Sequence, residues 1–239
     1  MDKIYLLIGL IILFASFTQG FSGFGFQLVA LPLLSLLIDL KHAIPLCALF
    51  GFVINIYLII HYKEHLDFRE LKSLLVGSVI GIPAGVYFLA EADTGLIKTI
   101  LGIVLIIFVL LNITTIFKAS AISREWGYLF GLLSGILGGA FNTNGPPVLV
   151  YLYLQGWEKL KLKAAITGFF FISSIIIIAG HAFVGLTTNT VLFDFLKLFP
   201  FVLLGQFWGV RLFGKVSSVL YNKIILIFLL IASLFMIFG

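Results

Sequence analysis

No stretch of this chain is long and polar enough to fold as a soluble domain. Only 10% of its 239 residues are charged, and the longest charged segment runs roughly from residue 62 to 72. Chemistry that needs a water-facing domain is thereby set aside, and a single membrane domain over 1–239 is the economical reading. Carboxylates are scarce too. All ten (Asp2, Asp39, Glu64, Asp67, Glu70, Glu91, Asp93, Glu125, Glu158 and Asp194) fall in connections or at the ends of apolar segments. With none at the centre of a span, a cation substrate bound through acidic side chains is disfavoured. The one cysteine, Cys47, has no second thiol to pair with and reads as a core residue. No cofactor and no metal site is expected, and the chain does not read as an enzyme. The net charge of +5 is spread over short connections beside apolar runs, so membrane topology explains it better than nucleic-acid binding does.

What the chain has in quantity is apolar sequence, 62% of all residues. Ten apolar segments run roughly over 4–17, 24–38, 43–60, 71–90, 96–117, 126–137, 146–154, 164–186, 195–213 and 224–238. At about 1.5 Å per residue, six of these are long enough to cross a hydrocarbon core of roughly 30 Å. The other four (4–17 with 24–38, and 126–137 with 146–154) form two short pairs. Residues 3–16, with Lys3 before an apolar core, imitate a signal peptide, but apolar segments follow without pause and the stretch reads as the first helix of the fold.

Each short pair flanks a glycine-rich break. The clearer one is Gly138-Gly139-Ala140-Phe141-Asn142-Thr143-Asn144-Gly145-Pro146-Pro147. A continuous membrane helix cannot pass through it, because proline lacks an amide donor and clashes with the preceding turn. Proline suits the first turn of a new helix, so two half-helices meet near Asn142 to Gly145. The first break, Gly23-Phe24-Gly25-Phe26-Gln27 with Pro32 downstream, lies over Gly138 to Asn142 with Pro147 at the same offset. Gly77 and Gly81 likewise lie over Gly205 and Gly209. The order of elements, a broken pair and then three spans, occurs twice: repeat one over about 1–118 and repeat two over about 124–239.

Charge decides how the pairs sit. If each is a hairpin that returns to its starting side, one face collects eleven basic residues in 63–72, 118–124, 159–163 and 211–223, and the other only Lys3, Lys41, Lys98 and Lys197. The positive-inside rule then puts the connections 62–72, 118–125, 156–163 and 214–223 in the cytoplasm and both termini outside. Under this arrangement the repeats are inverted. The expected fold class is an all-α polytopic membrane protein of two inverted-topology repeats, each a broken-helix hairpin followed by three transmembrane helices.

The stretches GFSGFGFQLVALPLL and GLLSGILGGAFNTNGPPVLVYLYLQGW resemble the sulfite exporter TauE/SafE family of bacterial membrane transporters, over essentially the whole chain. The resemblance implies a multi-pass inner-membrane protein that moves small anions such as sulfite and sulfonates. Many members carry three consecutive glycines in the first repeat, where this chain has Gly23-Phe24-Gly25-Phe26-Gln27.

The residues at the breaks give the same sign of ligand. The second half-helix of each hairpin starts at the break, so its free amides and positive dipole end point into the membrane middle. Gly23, Phe24, Gly25 and Gln27 in one repeat, and Asn142, Thr143, Asn144, Gly145 and Pro146 in the other, are the expected substrate-binding residues, a donor-rich pocket for a small oxyanion. Glycine and proline that only let helices pack closely is the plainer alternative. Asn55, His181 and Gln206 are candidates for the pathway or for interhelical hydrogen bonds, and a coupling ion, proton or sodium, stays open. Two rivals stand beside a carrier. One is a passive anion channel of the same fold. The other is an intramembrane serine protease using Ser22, in the string Gly20-Phe21-Ser22-Gly23, with His181 as base.

Overall fold

The computed structural model describes residues 3–113, 122–212 and 218–238. Among these the chain forms ten α-helices and no strand: α1 (Lys3–Ser22), α2 (Phe26–Leu34), α3 (Leu40–Tyr62), α4 (Lys72–Glu91), α5 (Thr94–Ile113), α6 (Trp126–Phe141), α7 (Gly145–Leu154), α8 (Lys159–Phe183), α9 (Asn189–Leu212) and α10 (Ser218–Phe238). Six of them (α1, α3, α4, α5, α8 and α9) are long and apolar enough to cross a membrane.

That set differs from the six segments expected from the sequence. The stretch 4–17 was to be a short half-helix, yet α1 runs 20 residues, through Thr18 and Gln19 to Ser22. The hydroxyls of Thr18 and Ser22 bond back to the carbonyls of Phe14 and Thr18 inside the same helix, which hides their polarity. The helix α6 also outruns its expected end at 137. Gly138 and Gly139 stay helical, and Gly139 is pressed against the backbone of α4, where a side chain would strike the Ile82 carbonyl. In α10 the apolar stretch is the shorter Lys223–Phe238. Parts of the expected connections 118–125 and 214–223 lie in 114–121 and 213–217, outside the described residues.

The chain divides into two compact units that do not coincide with its two halves. Unit 1 comprises Met1–Cys47, Ala92–Ile116 and Leu192–Gly239, and unit 2 comprises Ala48–Glu91 and Phe117–Val191. In unit 2, α4 and α6 run against each other through glycines four residues apart. Gly77, Gly81 and Gly85 meet the backbone at Tyr128, Leu132 and Ile136, while Gly131, Gly135 and Gly139 meet it at Leu74, Ser78 and Ile82. Without side chains at these points the two backbones touch, which is how membrane helices gain packing when lipid is as apolar as the partner helix. Unit 1 makes the same crossing with α9 and α1. Gly205 and Gly209 meet the backbone at Leu13 and Phe17, and Gly20 meets it at Gln206 and Val210.

These contacts set the register between the two units. Leu13 and Leu132, Phe17 and Ile136, and Gly20 and Gly139 are each 119 residues apart, and Gly205 and Gly209 match Gly81 and Gly85 at 124. The sequence matched Gly23 to Gly138 and Gly205 to Gly77, one helical turn away from this register. In a chain with 24 glycines spaced by fours, a slip of one turn preserves most identities.

Both broken pairs are hairpins within their own units. In unit 1 the Asp194 carboxylate takes a hydrogen bond from the Tyr5 hydroxyl at 2.9 Å and pairs with His42 Nε2 at 2.9 Å. The start of α1 and the start of α3 therefore lie side by side, and α2 must have brought the chain back. Lys197 lies over the Tyr5 ring at 4.8 Å, and the Thr94 hydroxyl donates to Asp39 Oδ2 at 3.0 Å. In unit 2 the Gln155 amide at the end of α7 donates to the Ile122 carbonyl ahead of α6, and Lys161 pairs with Glu70 at 2.8 Å.

Candidate anion site at the two helix breaks

The second break is built by residue 142. Its backbone lies in the left-handed region at φ 53, which asparagine tolerates better than most side chains, and this ends α6. The Asn142 amide donates to the Gly138 carbonyl at 2.8 Å and the Thr143 amide to the Leu137 carbonyl at 3.3 Å, and the chain turns back along α6. Asn144 then packs against Gly138, where a Cβ would come within 3.0 Å of its own. The Ser134 hydroxyl donates to the Asn144 carbonyl, and the Asn144 side-chain amide donates to Ser173 Oγ at 2.9 Å. Asn144 is thus pinned to α6 and α8 at once, close to the midpoint of α8.

That anchoring spends one of the two donors of the Asn144 side chain and leaves the other. Asn142, Thr143 and Asn144 are all buried, and Thr143 Oγ1 has no hydrogen-bond partner among the described residues. An unmade bond at a buried hydroxyl costs about 1–3 kcal/mol. The first turn of α7 is poorer in donors than the sequence reading supposed. Of Gly145, Pro146, Pro147 and Val148, only the glycine and the valine carry an N–H, so donors must come from side chains and the end of the helix dipole.

His181 bonds the end of α6. Its Nε2 lies 2.8 Å from the carbonyl of Gly139, in the last turn of α6, where no intrahelical donor is available. That bond makes Nε2 the donor and leaves the buried Nδ1 without a partner among the described residues. Asn55, buried in α3, keeps its Oδ1 unpartnered as well.

The first break lies in unit 1 and repeats the turn with other residues. Gly23 takes the place of Asn142, with φ 87, and its amide donates to the Gln19 carbonyl at 2.7 Å. Gly25 follows at φ 103 as the cap of α2. Gln19, which the sequence reading passed over, accepts the Phe26 amide on its Oε1 at 3.1 Å and so caps α2 from a neighbouring helix. Gln27 is half-buried one residue further on. Beside this turn lies a cleft of about 140 Å³ between Thr18, Ser22, Phe24, Gly25, Phe108 and Asn112, closed by Ile225, Leu226 and Leu229 of α10. Ser22 Oγ sits 2.7 Å from the Thr18 carbonyl and 2.6 Å from that of Phe24, while His181 Nε2 is engaged with Gly139.

Gln19, Ser134 and Ser173 were missed because nothing in their spacing announces them: each acts on a residue of another helix or beyond a turn. The one available hint was Gln19 itself, a glutamine within an apolar helix just before the first break.

Similarity to known proteins agrees with this architecture. The model of the family described as "Sulfite exporter TauE/SafE" matches residues 8–236. The "Probable sulfite/organosulfonate exporter TauE" of Cupriavidus necator is 23% identical over 120 residues, which cover 47% of this chain and 46% of that protein. The chain thus matches about half the length of this curated relative. No solved structure matches. With a match over nearly its whole length, the chain belongs to the sulfite exporter TauE/SafE family, and it is a multi-pass membrane protein.

Proposed function

We propose that this chain is a secondary transporter that exports a small anion, sulfite, a sulfonate or another sulfur-containing anion, across the inner membrane. The substrate is held at mid-membrane by half-helix N-termini and polar side chains, with Gly23, Phe24, Gly25 and Gln27 as the binding residues of one repeat and Asn142, Thr143, Asn144, Gly145 and Pro146 as those of the other. The repeats are inverted, and both termini lie outside. The shortness of the return helices supports this depth: at 9 and 10 residues, α2 and α7 extend only about 13–15 Å, half of a roughly 30 Å core.

The single observation that carries this reading is the Thr143 hydroxyl, buried and without a hydrogen-bond partner among the described residues, beside the start of a helix whose positive end favours an anion. An anion supplies the missing acceptor. The test is flux of ³⁵S-sulfite and of 2-hydroxyethanesulfonate in proteoliposomes. Counterflow, with labelled substrate accumulating against an unlabelled load, marks a carrier; a flux that only dissipates gradients marks a channel, and no flux of any sulfur anion contradicts the proposal.

A further inference from the structure

We propose that Ser16 and Gln206, in the seam between α1 and α9, form a second polar station for the exported anion. Ser16 is fully buried and Gln206 is 4% exposed, and the Ser16 hydroxyl and both polar atoms of the Gln206 side chain have no hydrogen-bond partner among the described residues. The two residues lie at the same helix crossing. Gln206 Oε1 lies against Gly20, 3.2 Å from where a Cβ would stand, and the Ser16 Cβ lies against Gly205, 2.8 Å from the same point there. A side chain in a helix leans toward the turn before it, so the Gln206 carboxamide enters the space over α1 between Gly20 and Ser16.

Packing does not require either residue. In the register fixed by the glycine contacts, the counterparts of Ser16 and Gln206 in unit 2 are Gly135 and Ile82, which meet across the same kind of crossing. The matched pair in unit 2 is therefore apolar, whereas Ser16 and Gln206 carry three polar atoms without a partner among the described residues, each a cost to an empty protein. Such an asymmetry is expected where a ligand passes one seam and not the other.

The ligand's sign follows from the donors and the nearby charge. The hydroxyl and the carboxamide together offer three N–H or O–H donors. No acidic residue occurs in α1, and the one in α9, Asp194, is 12 residues before Gln206, about 18 Å along the helix. The nearest charged residue on α9 is Arg211, five positions on. Gly20 and the first break at Gly23 are less than one turn apart, so an anion leaving the break finds this pair next along α1.

The inference rests on the transport reading above. Its test is the double variant Ser16→Gly with Gln206→Ile, which copies the seam of unit 2, read by thermal melting and by ³⁵S-sulfite flux. The expected result is a melting temperature equal to or above that of the unmodified protein together with a rise of at least tenfold in the sulfite KM. Gln206→Leu alone is the second variant should the double one fail to insert, with the same expected rise. Unmodified flux kinetics in a stable variant would overturn the station while leaving the breaks intact as a site. A protein that moves no sulfite and no sulfonate would overturn the transport reading and this one with it.

Discussion

Replacing Thr143 by valine changes one atom group and asks two questions at once. Valine keeps the β-branched shape and the volume, so the turn at the second break and its packing are preserved. What disappears is a hydroxyl that is 2% exposed and has no partner among the described residues. In the empty protein an unmade buried bond costs about 1–3 kcal/mol, so Thr143→Val should leave the melting temperature unchanged or raise it. In the proposed site the same hydroxyl would donate to an anion, and losing a hydrogen bond to a charged group costs about 1.5–3 kcal/mol, or about ten- to 150-fold in affinity. Stability and affinity should thus move in opposite directions. The assay pairs thermal melting of the purified protein with equilibrium binding of ³⁵S-sulfite. A variant that binds as tightly as the parent, or that melts lower in step with weaker binding, would refute the assignment of the hydroxyl to the ligand.

Other outcomes follow from named contacts. Asn142 needs separating into backbone and side chain: at φ 53, Asn142→Gly should fold normally and Asn142→Ala should lose about 1–2 kcal/mol from the left-handed backbone, measured by melting, while both lose the same anion affinity. Gly81→Val places a side chain against the Leu132 carbonyl and the Ile136 amide and should lower stability by about 1–3 kcal/mol or more; an unchanged melting temperature would mean that α4 and α6 do not touch there. Asp194→Ala leaves the Tyr5 hydroxyl and His42 without their shared acceptor and should cost about 1–3 kcal/mol, with Asp194→Asn intermediate. Reporter fusions should place the 156–163 connection in the cytoplasm and Lys41-His42 outside; finding both on one face would sink the hairpin topology.

The sequence revealed the parts of this fold that depend on local rules. Prolines and glycines in an apolar run marked both breaks, and lysine distribution marked the return of each hairpin. The register of the repeat was one turn off, because glycines at four-residue spacing match themselves when shifted by four and only the contacts with the partner helix choose between shifts. The length of α1 was misjudged because Thr18 and Ser22 count as polar in a sequence but satisfy themselves on their own helix. At the candidate site, Asn142 to Asn144 stood out by type, whereas the anchoring of Asn144 to Ser173 and the capping of α2 by Gln19 depend on which helices become neighbours. Proline content misled in one respect. Pro146 and Pro147 announce the helix start and also remove two of its four free amides, which shifts the donor role toward Thr143 and the asparagines.

The claim that a sulfur oxyanion is bound at the second break is tested most directly by binding itself. Equilibrium dialysis of ³⁵S-sulfite against the purified protein and against Asn144→Asp puts a negative charge beside the proposed anion with hardly any change in size. A folded Asn144→Asp protein should bind at least a hundredfold more weakly, since repulsion at low dielectric adds to the lost donor. Equal binding by the two proteins, both shown to be inserted and stable, would contradict the account and place the site elsewhere.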